Sequence, residues 1–522
     1  MSPGAGIDSI APMTSARFTQ PFAPFGFLGA LILAAMVRGY LLWQYYCISS
    51  DGVHYINAAK DFFAGRIFAG LSSVYPPGYP LLIASLYPLT HDWELSGQVW
   101  SLLCGVLLLV PLYILCRDIY GERVALVGCF LAAVSPYLAR YSVHVRTESP
   151  FIFLSTVALV LFHRGIQQGS NSRFFYGSLI AGFAYLVRPE AIGFLAIVPF
   201  VLGLRWWIKR EHRLPRLLQT CALVLLGFSL FALPYIYYLS WETGHWGAIS
   251  RKAGVTLAIS LKGSDLLDSG ELQDSADLES LDFLDFVWNH PVLYGKKVAM
   301  DILPAVGTYF EALHYSYVPF LLIGLFLVLR ERFWQRKDFL LVSFALFYIV
   351  GLTLIYVKRR YSLQVVPVSL GWTALGMLWC WDYFKEFPSA RVSRILLPLA
   401  VLVFVAGTIP KTLKPISPEK SYVREAGRYL KELKGSGELR VLVFDDRISF
   451  YAQAEGVLLS DLKEASLIED LRERKANYLA TDLSRWQERF PRIARNPELY
   501  GLALQREFRG WRKDRLMIYR VS

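Results

Sequence analysis

The chain has 522 residues, of which 54% are hydrophobic and only 18% charged, and its formal net charge is +12. This balance excludes a disordered protein, a collagen and a nucleic-acid-binding arm. A soluble chain of this length could not bury so much apolar surface, so the composition indicates a polytopic membrane protein.

The charged residues divide the chain into two parts. Of the 54 Lys and Arg and the 42 Asp and Glu, 40 lie within residues 411–522. We therefore predict a transmembrane domain over residues 1–410 and a small soluble domain over residues 411–522. None of the six Cys lies in the second part, so no disulfide framework is expected there.

Eleven apolar runs in the first part have the length or composition of membrane-spanning helices. The first has no small-residue cleavage site and is predicted to be a retained helix. The runs lie near residues 25–46, 96–116, 122–138, 149–163, 175–187, 190–208, 217–239, 315–330, 339–357, 362–384 and 394–410.

Lys and Arg cluster in alternate loops, at residues 205–216, 330–337 and 385–394, which predicts that these loops are cytoplasmic. With an odd number of spans, residues 411–522 then lie outside, in the periplasm of a bacterium. Two long outer loops are predicted, over residues 48–94 and 240–312. The first contains an apolar stretch, Pro80 to Leu89, that is too short to span and is expected to lie in the interface.

The soluble part alternates between helix-like and strand-like segments, which predicts an α/β domain. The predicted elements are a helix over 417–433 that starts at Ser417 or Ser421, a strand over 439–444, a helix over 461–475, and strands over 477–481 and 515–520.

A carboxylate stands at the membrane edge after the first apolar run. Asp51 lies in the sequence Ser49-Ser50-Asp51-Gly52, and His54 and Tyr55 would share its face of a helix that starts there. A carboxylate in this position suits a general base that takes a proton from a hydroxyl. The same sequence is also typical of a helix N-cap, and both interpretations stand at this point.

Arg residues mark three further corners on the same predicted side. These corners carry Arg146 and Glu148, Arg188 and Glu190, and Arg359, Arg360 and Tyr361. Arg forks bind phosphate, so the corners and Asp51 together indicate a site for a phosphate and a hydroxyl. The alternative is that these side chains anchor helix ends or pair with one another. The scattered His residues give no metal-ligand pattern, and no metal site is predicted.

With these residues in view, the chain resembles the GT-C membrane glycosyltransferases, most closely the branch of the protein O-mannosyltransferases and the bacterial aminoarabinose transferases. The motifs that carry the resemblance are Asp51-Gly52-x-x-Tyr55, Tyr75-Pro76-Pro77-Gly78-Tyr79-Pro80, Arg146-x-Glu148, Leu186-Val187-Arg188-Pro189-Glu190 and Arg360-Tyr361.

The resemblance implies an inverting transferase in the bacterial inner membrane, with a polyprenyl-phosphate sugar as donor and a hydroxyl of an envelope lipid, glycan or protein as acceptor. Asp51 would be the general base, and Arg188, Arg359 and Arg360 would bind the phosphate. The other residues implied in substrate binding are His54, Tyr55, Tyr75, Arg146, Glu148, Glu190 and Tyr361. Nucleic acid is not an expected partner.

Two departures from the family pattern concern the first outer loop. Gly52 stands where the protein O-mannosyltransferases carry Glu. Val74 and Tyr75 stand where the aminoarabinose transferases carry Glu-Lys, whose carboxylate helps to bind a metal. The resemblance therefore implies no definite cofactor, and a divalent cation stays an open alternative.

Two other functions compete with the transferase. A transporter or flippase of lipid-linked glycans would favour paired halves and charges at the membrane midplane, whereas the charges here gather at one interface. A non-enzymatic scaffold whose outer domain binds a partner is the third alternative.

Overall fold

The computed structural model describes residues 23–209, 214–244, 250–251, 256–257, 260, 283–330, 337–385, 390–434, 439–459, 464, 467–511 and 514–521. The polar stretch over residues 1–20 and the acidic stretch over residues 265–279 of the second long outer loop lie outside these residues.

Helices make up the described part of the chain as far as residue 412. They are α1 (Ala23–Trp43), α2 (Ser50–Phe63), α3 (Ile67–Leu71), α4 (Gly78–Thr90), α5 (Trp93–Leu107), α6 (Leu109–Tyr120), α7 (Glu122–Val134), α8 (Pro136–Tyr141), α9 (Glu148–Gln168), α10 (Asn171–Val187), α11 (Phe194–Lys209), α12 (Leu214–Thr243), α13 (Phe283–Asn289), α14 (Pro291–Leu313), α15 (Val318–Leu329), α16 (Phe339–Leu354), α17 (Arg359–Ser362), α18 (Val366–Lys385) and α19 (Ala390–Thr412). Short 3-10 turns cover Pro189–Gly193 and Leu363–Val365.

Each of the eleven apolar runs lies on helix, but fewer helices meet a strict test for a span. Among the described residues, six are long and apolar enough to cross a membrane: Pro24–Trp43, Trp93–Tyr120, Glu148–Gln168, Pro189–Ile208, Leu214–Thr243 and Arg359–Lys385. The pair α14 and α15, bent by 111°, would make a seventh, and α16 and Pro398–Thr412 are shorter apolar helices. The multi-pass architecture is confirmed, and the count of eleven stays a prediction.

Proline explains where predicted helices are interrupted. The run over 122–138 breaks at Ser135, which has φ −60° and ψ 122° because the ring of Pro136 disfavours the α conformation in the preceding residue. In the second long outer loop, residues 281–298 have a helical pattern, and the described residues 283–298 likewise divide between α13 and α14 at His290, before Pro291. The apolar stretch after Pro80 forms α4, which buries Tyr79 and Ile83.

Glycines allow α15 and α18 to touch. A Cβ atom at Gly324 would overlap the backbone carbonyl of Trp372, and one at Gly376 would overlap that of Phe320. Small residues at such contacts let helix backbones approach closely, which is how helices associate in lipid.

The last part of the chain forms a five-stranded mixed sheet between helices. The elements are α20 (Ser421–Lys434), β1 (Arg440–Val443), α21 (Asp446–Ala452), β2 (Glu455–Leu458), α22 (Leu467–Glu473), β3 (Tyr478–Asp482), α23 (Leu483–Arg489), α24 (Pro491–Arg495), β4 (Leu502–Arg509) and β5 (Arg515–Val521), with 3-10 turns at Pro418–Lys420 and Pro497–Tyr500. The strand order is β2-β1-β3-β5-β4, with β1 parallel to β2 and β3, and β5 antiparallel to β3 and β4.

The alternation of side chains along the strands builds one core on each face of the sheet. Val441 and Ile518 pack with α20 and α21 on one face. Leu442 and Leu479 pack with Trp486 on the other face. The α/β fold predicted for residues 411–522, called the tail below, is confirmed.

The strands that the sequence did not predict are the two edge strands. Residues of β2 and β4 are mostly exposed, because an edge strand has a neighbour on one side alone and carries polar side chains. The predicted helix over 417–433 starts at Ser421, and Ser417 is in the left-handed conformation before it, with φ 52°. Of the helix predicted over 461–475, residues 467–473 form α22, and residues 464, 474 and 475 are in turns.

The tail and the start of α2 lie on the same side of the membrane, since Ser50 hydrogen-bonds to Asp446. The chain must therefore cross the membrane an even number of times between these two points. The ten crossings predicted after the first span meet this condition, as does any other even number.

Replacing Gly324 with Ala should destabilise the protein, because the added methyl group must push α15 away from α18. We expect a loss of about 1–3 kcal/mol, seen as a lower melting temperature in detergent. Gly351→Ala in α16 is the matched control, since a Cβ atom there meets no atom within 4 Å. Equal melting temperatures for the two variants would contradict the packing described for Gly324.

Candidate active site

Asp51 lies in the first turn of α2, two residues after the N-cap residue of this helix. The N-cap is Ser49, whose side chain accepts a hydrogen bond from the Gly52 N–H at 3.2 Å. The capping interpretation of this sequence thus applies to Ser49, and Asp51 can serve another purpose.

Two groups from distant parts of the chain hydrogen-bond to Asp51. The Tyr75 hydroxyl donates to Oδ1 at 2.7 Å, and Nη1 of Arg360 donates to Oδ2 at 2.6 Å. A second guanidinium, that of Arg146, lies 3.9 Å from Oδ2. The three side chains come from the loop before α4, from α17 and from the loop before α9, so the site depends on packing among all of these elements.

Burial and charge keep two of these groups protonated. Burial first, and the Asp51 carboxylate second, raise the pKa of Tyr75 well above its usual range, so Tyr75 remains a hydrogen-bond donor. Burial lowers the pKa of Arg146, but the carboxylates of Glu148 and Asp51 outweigh it and the net shift is upward. Arg146 therefore stays a cation beside Asp51.

A second group of charges adjoins Asp51 through an aromatic ring. The Tyr361 hydroxyl accepts a hydrogen bond from Arg360 at 3.0 Å, and its ring lies 4.9 Å from the guanidinium of Arg188. Arg188 is buried, donates to Glu190 at 2.7 Å, and lies 3.4 Å from Glu148. Three Arg and three carboxylates therefore form one continuous cluster without net charge.

Gly78 explains why the proline-rich motif reaches this cluster. A Cβ atom at Gly78 would come within 2.7 Å of the Leu186 carbonyl oxygen, so a glycine is needed for this close approach. The contact holds the start of α4 against the end of α10, which is the corner that carries Arg188.

Some polar atoms of the cluster have no hydrogen-bond partner among the described residues. The Nε atoms of Arg146 and Arg360 and Oε2 of Glu148 are buried and make no hydrogen bond within the described residues. A guanidinium that retains an N–H can add a hydrogen bond to an anion.

Arg359 lies apart from this cluster, although it precedes Arg360. Its Nη1 pairs with Glu311 and donates to the Tyr137 hydroxyl at 3.1 Å. Consecutive residues of a helix point about 100° apart, so the two Arg face different neighbours. Glu311 and Tyr137 carried no motif signal in the sequence.

The two aromatic candidates on α2 differ in their surroundings. Tyr55 is buried, with its ring 4.5 Å from that of Tyr75. His54 is half exposed, lies 6.0 Å from the Tyr75 ring, and has its Nε2 3.5 Å from Asp446 in the tail.

A cavity of about 470 Å³ adjoins the site and has Tyr75 in its wall. It is lined by His54, Asn57, Ala58, Asp61, Ala69, Ser72, Ser73, Val74 and Tyr75. Six of these nine residues have polar side chains, which can hydrogen-bond to hydroxyl groups.

No group of three or more His, Cys, Asp or Glu among the described residues has the arrangement of a metal site. Both oxygens of Asp51 already accept hydrogen bonds from Tyr75 and Arg360.

Part of the chain matches a known family by sequence. Residues 74–237 match the family of the dolichyl-phosphate-mannose-protein mannosyltransferases. The matched segment contains Tyr75, Arg146 and Arg188 but neither Asp51 nor Arg360. No curated protein matches the sequence.

Solved structures of GT-C enzymes share the fold over most of the chain. The ArnT of Cupriavidus metallidurans bound to undecaprenyl phosphate matches with a TM-score of 0.57 at 11% identity, over 95% of this chain and 97% of that one. Its apo state matches with a TM-score of 0.59 at 12% identity, over 95% and 98%. The oligosaccharyltransferase of Archaeoglobus fulgidus, in complex with Zn and sulfate, matches with a TM-score of 0.58 at 13% identity, over 89% of this chain and 68% of that one. The predicted fold class is confirmed.

Removing the buried acid Glu148 should destabilise the protein. Glu148→Ala leaves Arg188 with Glu190 as its remaining partner, and we expect a loss of about 3 kcal/mol in the free energy of unfolding. Glu311→Ala is the comparison, because the pair of Glu311 and Arg359 is about a third exposed and screened by solvent. Thermal unfolding in detergent would contradict the described burial if the two variants melted alike.

Proposed function

We propose that this chain, a membrane glycosyltransferase of the GT-C superfamily by its family match and its fold, transfers a sugar from a polyprenyl phosphate to a hydroxyl of an envelope lipid, glycan or protein. The observation that carries the proposal is the contact between the Asp51 carboxylate and two guanidinium groups, those of Arg360 and Arg146. A base and phosphate-binding cations then stand side by side. The ArnT structure bound to undecaprenyl phosphate supports the class of donor.

The reaction is a single in-line displacement. Asp51 takes the proton of the acceptor hydroxyl as its oxygen attacks the anomeric carbon. The bond from that carbon to the phosphate oxygen breaks, and the polyprenyl phosphate leaves with the electron pair. The configuration of the sugar is inverted.

The Arg cluster stabilises the leaving phosphate. Fixed cations aimed at a group that gains negative charge lower the barrier, because they need no reorganisation during the reaction. Arg360 and Arg146 lie nearest to Asp51 and take this role, and Arg188 holds the cluster together through Glu148 and Glu190.

Binding of the donor activates the base. Before the donor arrives, Arg360 pairs with Asp51, and a carboxylate paired with a cation is a weak base. The donor phosphate competes for Arg360, so its arrival weakens that pair and strengthens the basicity of Asp51. The base is thereby held in check until a donor is bound.

The acceptor reaches Asp51 through the cavity lined by Tyr75 and His54. Its polar lining binds hydroxyl groups, and the Tyr75 hydroxyl marks the end nearest to Asp51. The Lys and Arg of the opposite loops support a periplasmic location for this side, and for the tail with it. The charges of the site lie at helix ends, away from the midplane expected of a transporter, and this favours the transferase.

Asp51→Asn should abolish transfer but not donor binding. Loss of the general base lowers kcat by about 100-fold or more, and Arg360, released from the carboxylate, binds the donor at least as tightly as before. The purified protein would be incubated with radiolabelled polyprenyl-phosphate sugars and envelope acceptors, with transfer and donor binding measured separately.

Asp382→Asn is the matched control, because Asp382 pairs with Arg123 at the other end of the candidate span Arg359–Lys385, which begins beside Arg360. A wild-type protein that consumes no donor would remove the transferase proposal. A fully active Asp51→Asn variant would remove the base assignment alone.

Arg360→Ala should weaken use of the donor. Loss of a charge-assisted hydrogen bond to phosphate lowers kcat/KM for the donor by about 10- to 100-fold, and Arg360→Lys, which keeps the charge without the fork, should fall in between. Lys358→Ala removes a neighbouring charge that lies over the Tyr356 ring, and it serves as control. Unchanged donor kinetics in Arg360→Ala would count against the phosphate role.

A further inference from the structure

The short segment that joins α1 to α2 is bound on both sides of its backbone by the tail. The Tyr46 N–H donates to the Ile416 carbonyl at 3.1 Å, and the Ile416 N–H donates to the Gln44 carbonyl at 2.9 Å. Arg424 of α20 donates to the Tyr45 carbonyl at 3.3 Å. The tail therefore holds the backbone of this segment in place shortly before Asp51, the residue proposed as the base.

Two further residues of this segment are held by the tail. Cys47 is buried in the core that α20 forms with one face of the sheet. The Ile48 N–H donates to the Tyr451 hydroxyl at 2.7 Å, and that hydroxyl donates to Glu94 at 3.0 Å. Glu94 in turn accepts from Arg424 at 2.6 Å, which ties the segment, α5 and the tail into one network.

Of the tail residues that contact this part of the chain, Asp446 binds the side chains on either side of Asp51 in the sequence. It is the first residue of α21, and its oxygens accept from the Ser50 hydroxyl at 3.1 and 3.2 Å. The same carboxylate lies 3.5 Å from Nε2 of His54. Ser50 precedes Asp51 in the chain and His54 follows it by one turn, so Asp446 holds α2 at both ends of the turn that carries Asp51.

We propose that Asp446 is a positioning residue for Asp51, and that the tail thereby forms part of the catalytic apparatus. The proposal rests on the function of Asp51 given above. Asp446 touches neither substrate nor the reacting atoms. It fixes the rotation and height of the first turn of α2, and with them the place of the Asp51 carboxylate between Arg360 and Tyr75.

The magnitude of the effect follows from the sensitivity of catalysis to position. A misplacement of about 1 Å in a reacting group can cost about 100-fold in rate. Loss of one anchoring contact allows a smaller shift, and we expect a fall of about 10-fold in kcat with little change in donor KM, since Arg360 and Arg146 remain.

The test combines variants on both sides of the contact. Asp446→Ala should lower kcat by about 10-fold, and Ser50→Ala should lower it by less, because it leaves the contact between Asp446 and His54 in place. The double variant should be no slower than Asp446→Ala, because it removes no further contact of Asp446. Asp446→Asn, which still accepts from Ser50, should retain most of the activity. Glu455→Ala is the control within the tail, since Glu455 pairs with Arg440 at the exposed edge strand.

Hydrogen exchange supplies a measurement that does not need activity. In Asp446→Ala, the amides of residues 50–54 should exchange faster than in the wild type, and in Glu455→Ala they should not. Hydrogen exchange can be measured even when no acceptor for the transfer reaction has been found. A failure of the transferase proposal can therefore be told apart from a failure of the positioning role of Asp446.

Several results would overturn the proposal. Wild-type kcat in Asp446→Ala and Ser50→Ala, beside an inactive Asp51→Asn, would leave the enzyme standing and remove the positioning role. Additive losses in the double variant, a raised donor KM with unchanged kcat, or unaltered exchange at residues 50–54 would each do the same. If Asp446→Ala fails to fold, Ser50→Ala, which leaves the tail intact, decides the outcome.

Discussion

The hydrogen bond between Asp51 and Arg360 joins residues 309 positions apart, and the geometry of the site depends on it. Asp51 stands at the start of a helix that follows the first span, and Arg360 stands at the start of a late one. Opposite charges at a partly buried interface attract strongly, so the two helix ends are drawn into one layer. Tyr75 and Arg146 complete the surroundings of the carboxylate from two further loops.

The ion pair of Asp51 and Arg360 stabilises the structure of the site but also lowers the reactivity of Asp51 as a base. A carboxylate in an ion pair is stabilised in its charged form, and the same pairing makes it a weaker base. The conflict is resolved if the cation has a second anion to bind, and the phosphate of a lipid-linked sugar is such an anion. The charges of the Arg and carboxylate groups then balance only before the donor binds, because the bound phosphate adds negative charge to the cluster.

The sequence allowed much of the fold to be predicted, because the length of an apolar run is a local property that lipid enforces on each helix separately. The corners that carry Arg146, Arg188 and Arg360 could be assigned to one layer from the alternation of loops. The sequence could not show that Arg359 and Arg360 have different partners, because the direction of each side chain depends on how the helix is rotated against its neighbours. The role of Asp446 could not be predicted from the sequence for another reason. Its partner Ser50 lies 396 residues away, and no local sequence pattern marks such a contact.

The burial of Cys47 in the core of the tail bears on how the chain is made. Cys47 precedes the sheet and the helices of that core in the chain, so its side chain is synthesised before them. The tail thus completes its interior only after the first span has been inserted and residues 44–50 have been delivered to the same side of the membrane. A tail without this segment would have a gap where the Cys47 side chain packs, so the core of the tail depends on residues of the membrane domain.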